Sequence, residues 1–224
     1  MSTTPTEVPR LPAYPATFNV DYPDRNLNRL TSFFRIFVII PIAIVLSALT
    51  GFSYTWGATT HQVGGIQYNY QYVTSAGILF LPLVLMILFR KKYPKWWFDW
   101  NLALTRFSFR VSSYLLLLRD EYPSTDEEQA IHLDMVYPDA KTQLGRGWPL
   151  IKWFLAIPHY IVLFFLGIAA IVVWVIAWFA ILFTGRYPKG LFDFIVGVLR
   201  WGLRVSAYAA ILITDKYPPF SLQP

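Results

Sequence analysis

Two stretches of this 224-residue chain carry the same set of charged and phenolic side chains. Asp99, Arg106, Arg110 and Tyr114 make up the first, and Asp193, Arg200, Arg204 and Tyr208 the second. At about 100° per residue, Asp99, Ala103, Arg106 and Arg110 share one narrow stripe of a helix, and Asp193, Gly197, Arg200 and Arg204 repeat it. Guanidinium groups hold phosphates and carboxylates bidentately, so four of them related by pseudo-symmetry would suit an anion, either a lipid phosphate or an acidic substrate. The plainer reading is that Asp and Arg pair between the stripes, or that the Arg heads reach the headgroups and only anchor the chain.

Little else in the sequence could do chemistry. There is no cysteine, which excludes disulfides, thiol catalysis and thiolate metal sites. His61, His132 and His159 are far apart and show no metal-ligand spacing with acids. No G-x-S-x-G, P-loop or H-E-x-x-H occurs, and Gly145-Arg146-Gly147 lacks the third glycine and the preceding strand of a dinucleotide loop. The chain therefore implies no catalytic residue, metal or cofactor. The net charge of +6 comes from Lys and Arg at the edges of apolar segments rather than from a basic run, so nucleic acid is not expected as a partner.

The elements that must position the stripes are apolar. Of the residues, 55% are hydrophobic and only 14% charged, where a soluble domain carries about a quarter. No Asp, Glu, Lys or Arg lies between Arg35 and Arg90, or between Lys152 and Arg186. Blocks of that length read as membrane-embedded. The polar, proline-rich residues 1–13 read as a disordered tail without the features of a secretory signal.

Self-similarity organises the rest. Tyr93-Pro94-Lys95 aligns with Tyr187-Pro188-Lys189, and the two stripes then fall in register. Asp120 meets Asp215, Arg35 meets Lys152, Pro41 meets Pro158, and Tyr22-Pro23-Asp24 meets Tyr137-Pro138-Asp139. Two tandem repeats follow, 14–124 and 129–221, joined by an acidic linker at 125–128. The Tyr-Pro pairs read as punctuation where segments end. Repeat 1 carries 23 extra residues, which fall within 51–75 and read as strand, Gly64-Gly65 turn, strand, with Tyr68, Tyr70 and Tyr72 on one face at the outer membrane surface.

The predicted fold is all-α and membrane-integral. Each repeat holds a transmembrane helical hairpin and an amphipathic interfacial helix, with short cytoplasmic strands at 16–22 and 131–137. Repeat 1 spans at about 34–51 and 74–90 and has its interfacial helix at 95–118. Repeat 2 has a helical pair within 151–185, turning near Gly167, and an interfacial helix at 189–213. Arms of about 16 residues are short for crossing, so a shallow re-entrant hairpin fits as well. Basic residues flank the apolar blocks, and the positive-inside rule places both chain ends in the cytoplasm with the repeats parallel. Pro41 and Pro158 would kink their helices.

At R-x-F-x-x-I-P, T-G-R-Y-P-x-G-L-F-x-F, L-R-W-x-x-R-V-x-A-Y and T-D-x-Y-P-P-F the chain resembles an uncharacterised bacterial membrane family, the domain of unknown function 4389. The second copy carries Thr184-Gly185-Arg186-Tyr187-Pro188 and Asp215-Lys216-Tyr217-Pro218-Pro219-Phe220, whereas the first has Arg90-Lys91-Lys92 and Ser124 at the matching places. The resemblance implies a bacterial inner-membrane protein and supplies no activity, so the function stays open. The function expected is a non-enzymatic accessory, scaffolding or lipid-binding module. Its expected partners are membrane lipids, anionic ones included, and a membrane protein or a second copy. A small transporter at the repeat interface is the alternative, and a lipid-modifying enzyme using Asp99 or Asp193 ranks last.

Overall fold

The two alternating stretches predicted as strands pair with each other. In the computed structural model β1 (Ala16–Val20) runs antiparallel to β4 (Ile131–Met135), with Phe18 opposite Leu133 at the centre. Alternation sends Ala16, Phe18, Val20, Ile131, Leu133 and Met135 into the core. Thr17, Asn19, His132 and Asp134 lie on the outer face. Between and after the strands come α1 (Arg29–Val38), α2 (Ile40–Thr50), the hairpin β2 (Thr60–Val63) and β3 (Ile66–Asn69), α3 (Phe80–Leu85) running into a π turn at Met86–Arg90, α4 (Lys95–Leu115), α5 (Trp148–Leu155), α6 (Ile157–Thr184) and α7 (Lys189–Ala209). The structure describes residues 14–24, 26–50, 60–63, 66–69, 80–125, 127, 129–145 and 147–224. The expected tail 1–13, Arg25, Gly64-Gly65, Tyr70, Tyr72, the start of the second span (74–79), Asp126, Glu128 and Arg146 lie outside them. The strand pairing expected within 51–75 is present, with Val63 opposite Ile66.

Proline sets the first helical breaks. α1 stops at Val38 and α2 restarts at Ile40 with Pro41 as its second residue, and α5 and α6 break in the same way at Ala156 before Pro158. A proline ring clashes with the carbonyl four residues back and offers no N–H. Ile39 and Ala156 stay right-handed and still donate to the Arg35 and Lys152 carbonyls, so each break is a kink.

The helical pair expected within 151–185 does not form. α6 is one 28-residue helix that passes straight through Gly167. A single glycine costs a helix only about 1 kcal/mol, and no polar turn residue accompanies it. The helix ends instead at Gly185, which takes φ +74° while its N–H bonds the Ile181 carbonyl. The amphipathic helices are also shorter than expected, because Leu117 (φ 65°) and Leu212 (φ 61°) turn the chain left-handed soon after α4 and α7.

Three layers result. The buried face of the β1–β4 sheet rests on α4 and α7, with Phe18 edge-on to Phe109 at 4.9 Å. Beneath α7 runs α6, antiparallel over its length: Ala156 and Leu166 pack with Trp201, Val205 and Ala209, and Ala177 and Ile181 with Phe192 and Ile195. Beneath α4, Ile39 and Ile42 meet Phe107, Val111 and Tyr114. The underside is apolar and exposed, including Ile44, Val45, Phe164, Phe165, Ile168, Ile171, Val172 and Phe183.

Two buried cations tie the layers together. Arg35, 1% exposed, pairs with Asp120, donates to the Tyr114 and Arg119 carbonyls at 3.1 and 3.0 Å, and lies over the Tyr114 ring at 4.5 Å. Lys152, fully buried, pairs with Asp215 at 2.7 Å, donates to the Thr214 carbonyl at 2.7 Å and lies over the Tyr208 ring at 5.2 Å. Asp120 also accepts from Asn28 N–H and Asp215 from Gly145 N–H. Removing one partner from such a pair strands a buried charge, so Lys152→Ala is expected to cost about 3 kcal/mol of stability. Arg35→Lys, which copies the other cluster, is expected to cost less than half of that. Thermal unfolding of the detergent-purified variants reads both.

Candidate functional site

α4 and α7 turn their charged stripes toward the sheet. From α7, Arg200 Nε donates to the Phe18 carbonyl at 2.9 Å and Nη2 to Asn19 Oδ1 at 3.3 Å. From α4, Arg106 Nε donates to the Leu133 carbonyl at 2.9 Å and Nη2 to Asp134 Oδ1 at 3.1 Å. Phe18 and Leu133 are the central pair of the sheet. Each helix therefore grips one strand at the same point with the same two nitrogens. The grip also crosses between halves: β1 belongs to the first half and is held by α7, whereas β4 belongs to the second and is held by α4.

The second arginine of each stripe holds chain that follows its own helix. Arg204 donates to the Ser221 and Gln223 carbonyls at 3.3 and 2.7 Å, and Arg200 Nη1 to the Leu222 carbonyl at 2.9 Å. Arg110 donates to the Ser124 carbonyl at 2.7 Å. Burial, and for Arg200 also the Arg204 charge, lowers the pKa of both α7 guanidinium groups below its ordinary value. Burial likewise pushes up the phenol of Tyr14, whose hydroxyl donates to the Arg204 carbonyl.

The predicted site residues thus separate into four groups. Arg106, Arg110 and Arg200 gather around one open cleft of about 830 Å³, lined also by Ala103, His132, Leu133 and Asp134, and Arg204 faces 221–223 instead. Asp99 stays on the outer surface, paired with Lys95 at 2.9 Å, and Asp193 is exposed. Tyr114 and Tyr208 lie under Arg35 and Lys152, away from the cleft. Among the described residues no group of three His, Asp or Glu gathers as a metal set.

The Tyr-Pro motifs also cross between halves. Tyr22 Oη donates to the Tyr187 carbonyl and Tyr137 Oη to the Tyr93 carbonyl at 2.5 Å. His159 is buried, accepts from Trp201 Nε1 at 3.0 Å and stacks on Phe220 at 4.0 Å, which gives it a packing role.

The second-half residues from the buried Lys152 to Ser221 fall within a recognised sequence family. Residues 149–221 match the family described as Domain of unknown function (DUF4389). No curated protein and no solved structure gives a match. The matched segment carries Lys152, Arg200, Arg204, Tyr208 and Asp215 together, so it spans one buried ion cluster and the two arginines of one grip, whose acceptors at 18–19 and 222–223 lie outside it.

Sequence reasoning missed the Arg35–Asp120 and Lys152–Asp215 pairs, because it took Arg35 and Lys152 for cations marking a membrane edge. The signal was present: each cation stands six residues before its proline and aligns together with an aspartate that precedes a Tyr-Pro pair. Arg200 is 8% exposed and makes three hydrogen bonds, whereas the Arg106 side chain is 43% exposed and makes two. Arg200→Gln is accordingly expected to destabilise by about 2–4 kcal/mol and Arg106→Gln by about 1. Melts of the two purified variants compare them.

Proposed function

We propose that the protein is a non-enzymatic membrane module: two copies of one unit, related by a pseudo-twofold axis through the Phe18–Leu133 pair and seated together on the lipid. The observation that carries this reading is the layering, with the polar strand face on one side and a broad exposed apolar underside on the other. Duplication is supported by the two ion clusters, the two arginine grips and the paired left-handed residues Leu117 and Leu212. An antiparallel pair formed by equivalent strands has its twofold axis perpendicular to the sheet, so both copies face the membrane the same way.

The packing favours a seat within one leaflet over four crossings. The sheet lies over the middle of α4 and α7, held by Arg106 and Arg200, and Asn19, His132 and Asp134 face outward from it. Upright helices would carry that polar face to the bilayer centre, where unsatisfied groups cost several kcal/mol each. α6 runs alongside α7 and shares its tilt. Its 28 residues span about 42 Å against a hydrocarbon core of about 30 Å, so it fits lying flat with its apolar surface sunk among the acyl chains. It also passes by length and composition as a span, as does Arg29–Ser47.

The rim suits anionic headgroups. Arg90, Lys92, Lys95, Arg186 and Lys189 are exposed beside the exposed aromatics Phe89, Trp96 and Phe183. Purified protein is expected to associate at least tenfold more strongly with vesicles containing phosphatidylglycerol than with neutral phosphatidylcholine vesicles, and equal association would remove the lipid preference. Single cysteines at Thr60, Ser124 and Ser221 in intact cells distinguish the two seats. A one-leaflet, cytoplasm-facing protein leaves all three unlabelled by an impermeant maleimide, whereas four crossings label Thr60 alone.

Transport between the copies has less support. Pro41 and Pro158 restart helices without unwinding a turn, so they free no run of carbonyls for an ion. Asp99 pairs with Lys95 away from the arginine cleft, whereas Asp193 lines a neighbouring pocket with Arg200, so the lipid-modifying reading keeps one of its two carboxylates beside an arginine.

A further inference from the structure

The start of α1 lies against the end of α6. Leu27 N–H donates to the Gly185 carbonyl at 2.8 Å, Trp178 Nε1 donates to the Ser32 carbonyl at 3.2 Å, and Phe33 stacks on Trp178 at 6.1 Å. At the top of this seam Tyr22, Pro23, Asp24, Asn26, Arg186 and Tyr187 line a cleft of about 300 Å³.

Three cations gather at this corner. Arg186 Nε donates to Asn26 Oδ1 at 3.1 Å. That bond fixes the plane of the guanidinium, and its two Nη groups make no hydrogen bond among the described residues. Arg29 lies over Gly185: a Cβ on that glycine would stand 3.5 Å from Arg29 Nε and 3.5 Å from Asn26 Cβ. Both guanidinium groups therefore stand next to Asn26. Lys189 Nζ lies 5.5 Å over the Tyr22 ring. Among the described residues no carboxylate pairs with any of the three cations. Asp24 is the one acid described on the cleft wall, and the cations outnumber it.

Beside the cations the surface is apolar. Leu30 and Phe33 on α1 and Phe183 at the end of α6 are exposed, and Phe33 follows Arg29 by one helical turn. We propose that this corner is a binding site for the phosphate of an anionic glycerophospholipid. The phosphate accepts from the Nη groups of Arg186 and from Arg29, Lys189 adds charge, and the acyl chains run over Leu30, Phe33 and Phe183. A planar guanidinium held at Nε can meet two phosphate oxygens at once, which an ammonium cannot do. The apolar surface beside the cations selects an amphiphile over free phosphate. The proposal rests on the reading of the chain as seated in lipid with a basic rim. It goes further by assigning the headgroup to one built place, where the geometry of two arginines and Asn26 decides binding rather than net charge.

Native mass spectrometry of the detergent-purified full chain, with phosphatidylglycerol or phosphatidylcholine added, tests this. The wild-type chain should retain bound phosphatidylglycerol and should retain phosphatidylcholine about tenfold less. Asn26→Ala, and Arg29→Lys combined with Arg186→Lys, keep every charge, and each should cut the lipid-bound fraction about fivefold. All three residues are exposed, so both variants should melt like wild type in lipid-free detergent. Phosphatidylglycerol should raise the melting midpoint of wild type and not of Asn26→Ala, and millimolar inorganic phosphate should raise neither. Retention that is equal in wild type and both variants overturns the site, as does equal retention of the two lipids. Stabilisation by inorganic phosphate as large as that by the lipid would make the corner a free-phosphate site and overturn the lipid assignment. Vesicle association separates this failure from that of the underlying reading. If wild type prefers phosphatidylglycerol vesicles while retention ignores the substitutions, the site fails and the basic rim stands. If wild type shows no vesicle preference, the rim reading fails and takes the site with it.

Discussion

Neither of the two central strands can be satisfied by its own half of the chain. A two-stranded ribbon is marginal in water by itself, and among the described residues each five-residue strand has only the other as a ladder partner. What holds the ribbon is the pair of guanidinium groups beneath it, which reach the Phe18 and Leu133 carbonyls from α7 and α4. The position of each amphipathic helix, and through it of the apolar helices below, follows from that crossed grip. The buried cations Arg35 and Lys152 do the matching work at the other edge, fastening the first apolar helix of each half to the chain that leaves α4 or α7.

Much of this was legible from residue types and spacing. Alternation gave both central strands, apolar runs gave the lower helices, and the stripe of Asp, small residue and two arginines marked the faces of α4 and α7 that look toward the sheet. What the spacing could not convey was the partner of each charge. Periodicity places Asp99 in line with Arg106, but Lys95 lies one turn away on the same surface and takes the carboxylate. It places Tyr114 near Arg110, yet the ring turns under Arg35, a residue 79 positions earlier. Long-range partners of this kind depend on which layer covers which, and local pattern carries no record of it.

The misread helix has a similar origin. α6 is too long for one perpendicular crossing of a bilayer, and that mismatch argued for folding it in two at Gly167. The helix instead packs antiparallel along the 21-residue α7, and its 28 residues overrun that neighbour by about two turns. In the first half, residues 51–79 separate α2 from α3, where the second half has an unbroken rod. The extra chain therefore enters at a place where the underside of one half has a seam and the other does not.

The crossed grip also fixes an order of events. Any chain made from its amino end presents β1, α1 and α4 well before α7 exists, so Phe18 and the Arg106 guanidinium must both wait for sequence that has not yet emerged from the ribosome. Neither half can close alone, and the last helix to appear completes the first strand to appear. On the proposed reading of the halves as two copies of one unit, a single unit would be whole only as a pair of identical molecules exchanging strands, and carrying both in one chain keeps the exchange partner at a fixed local concentration.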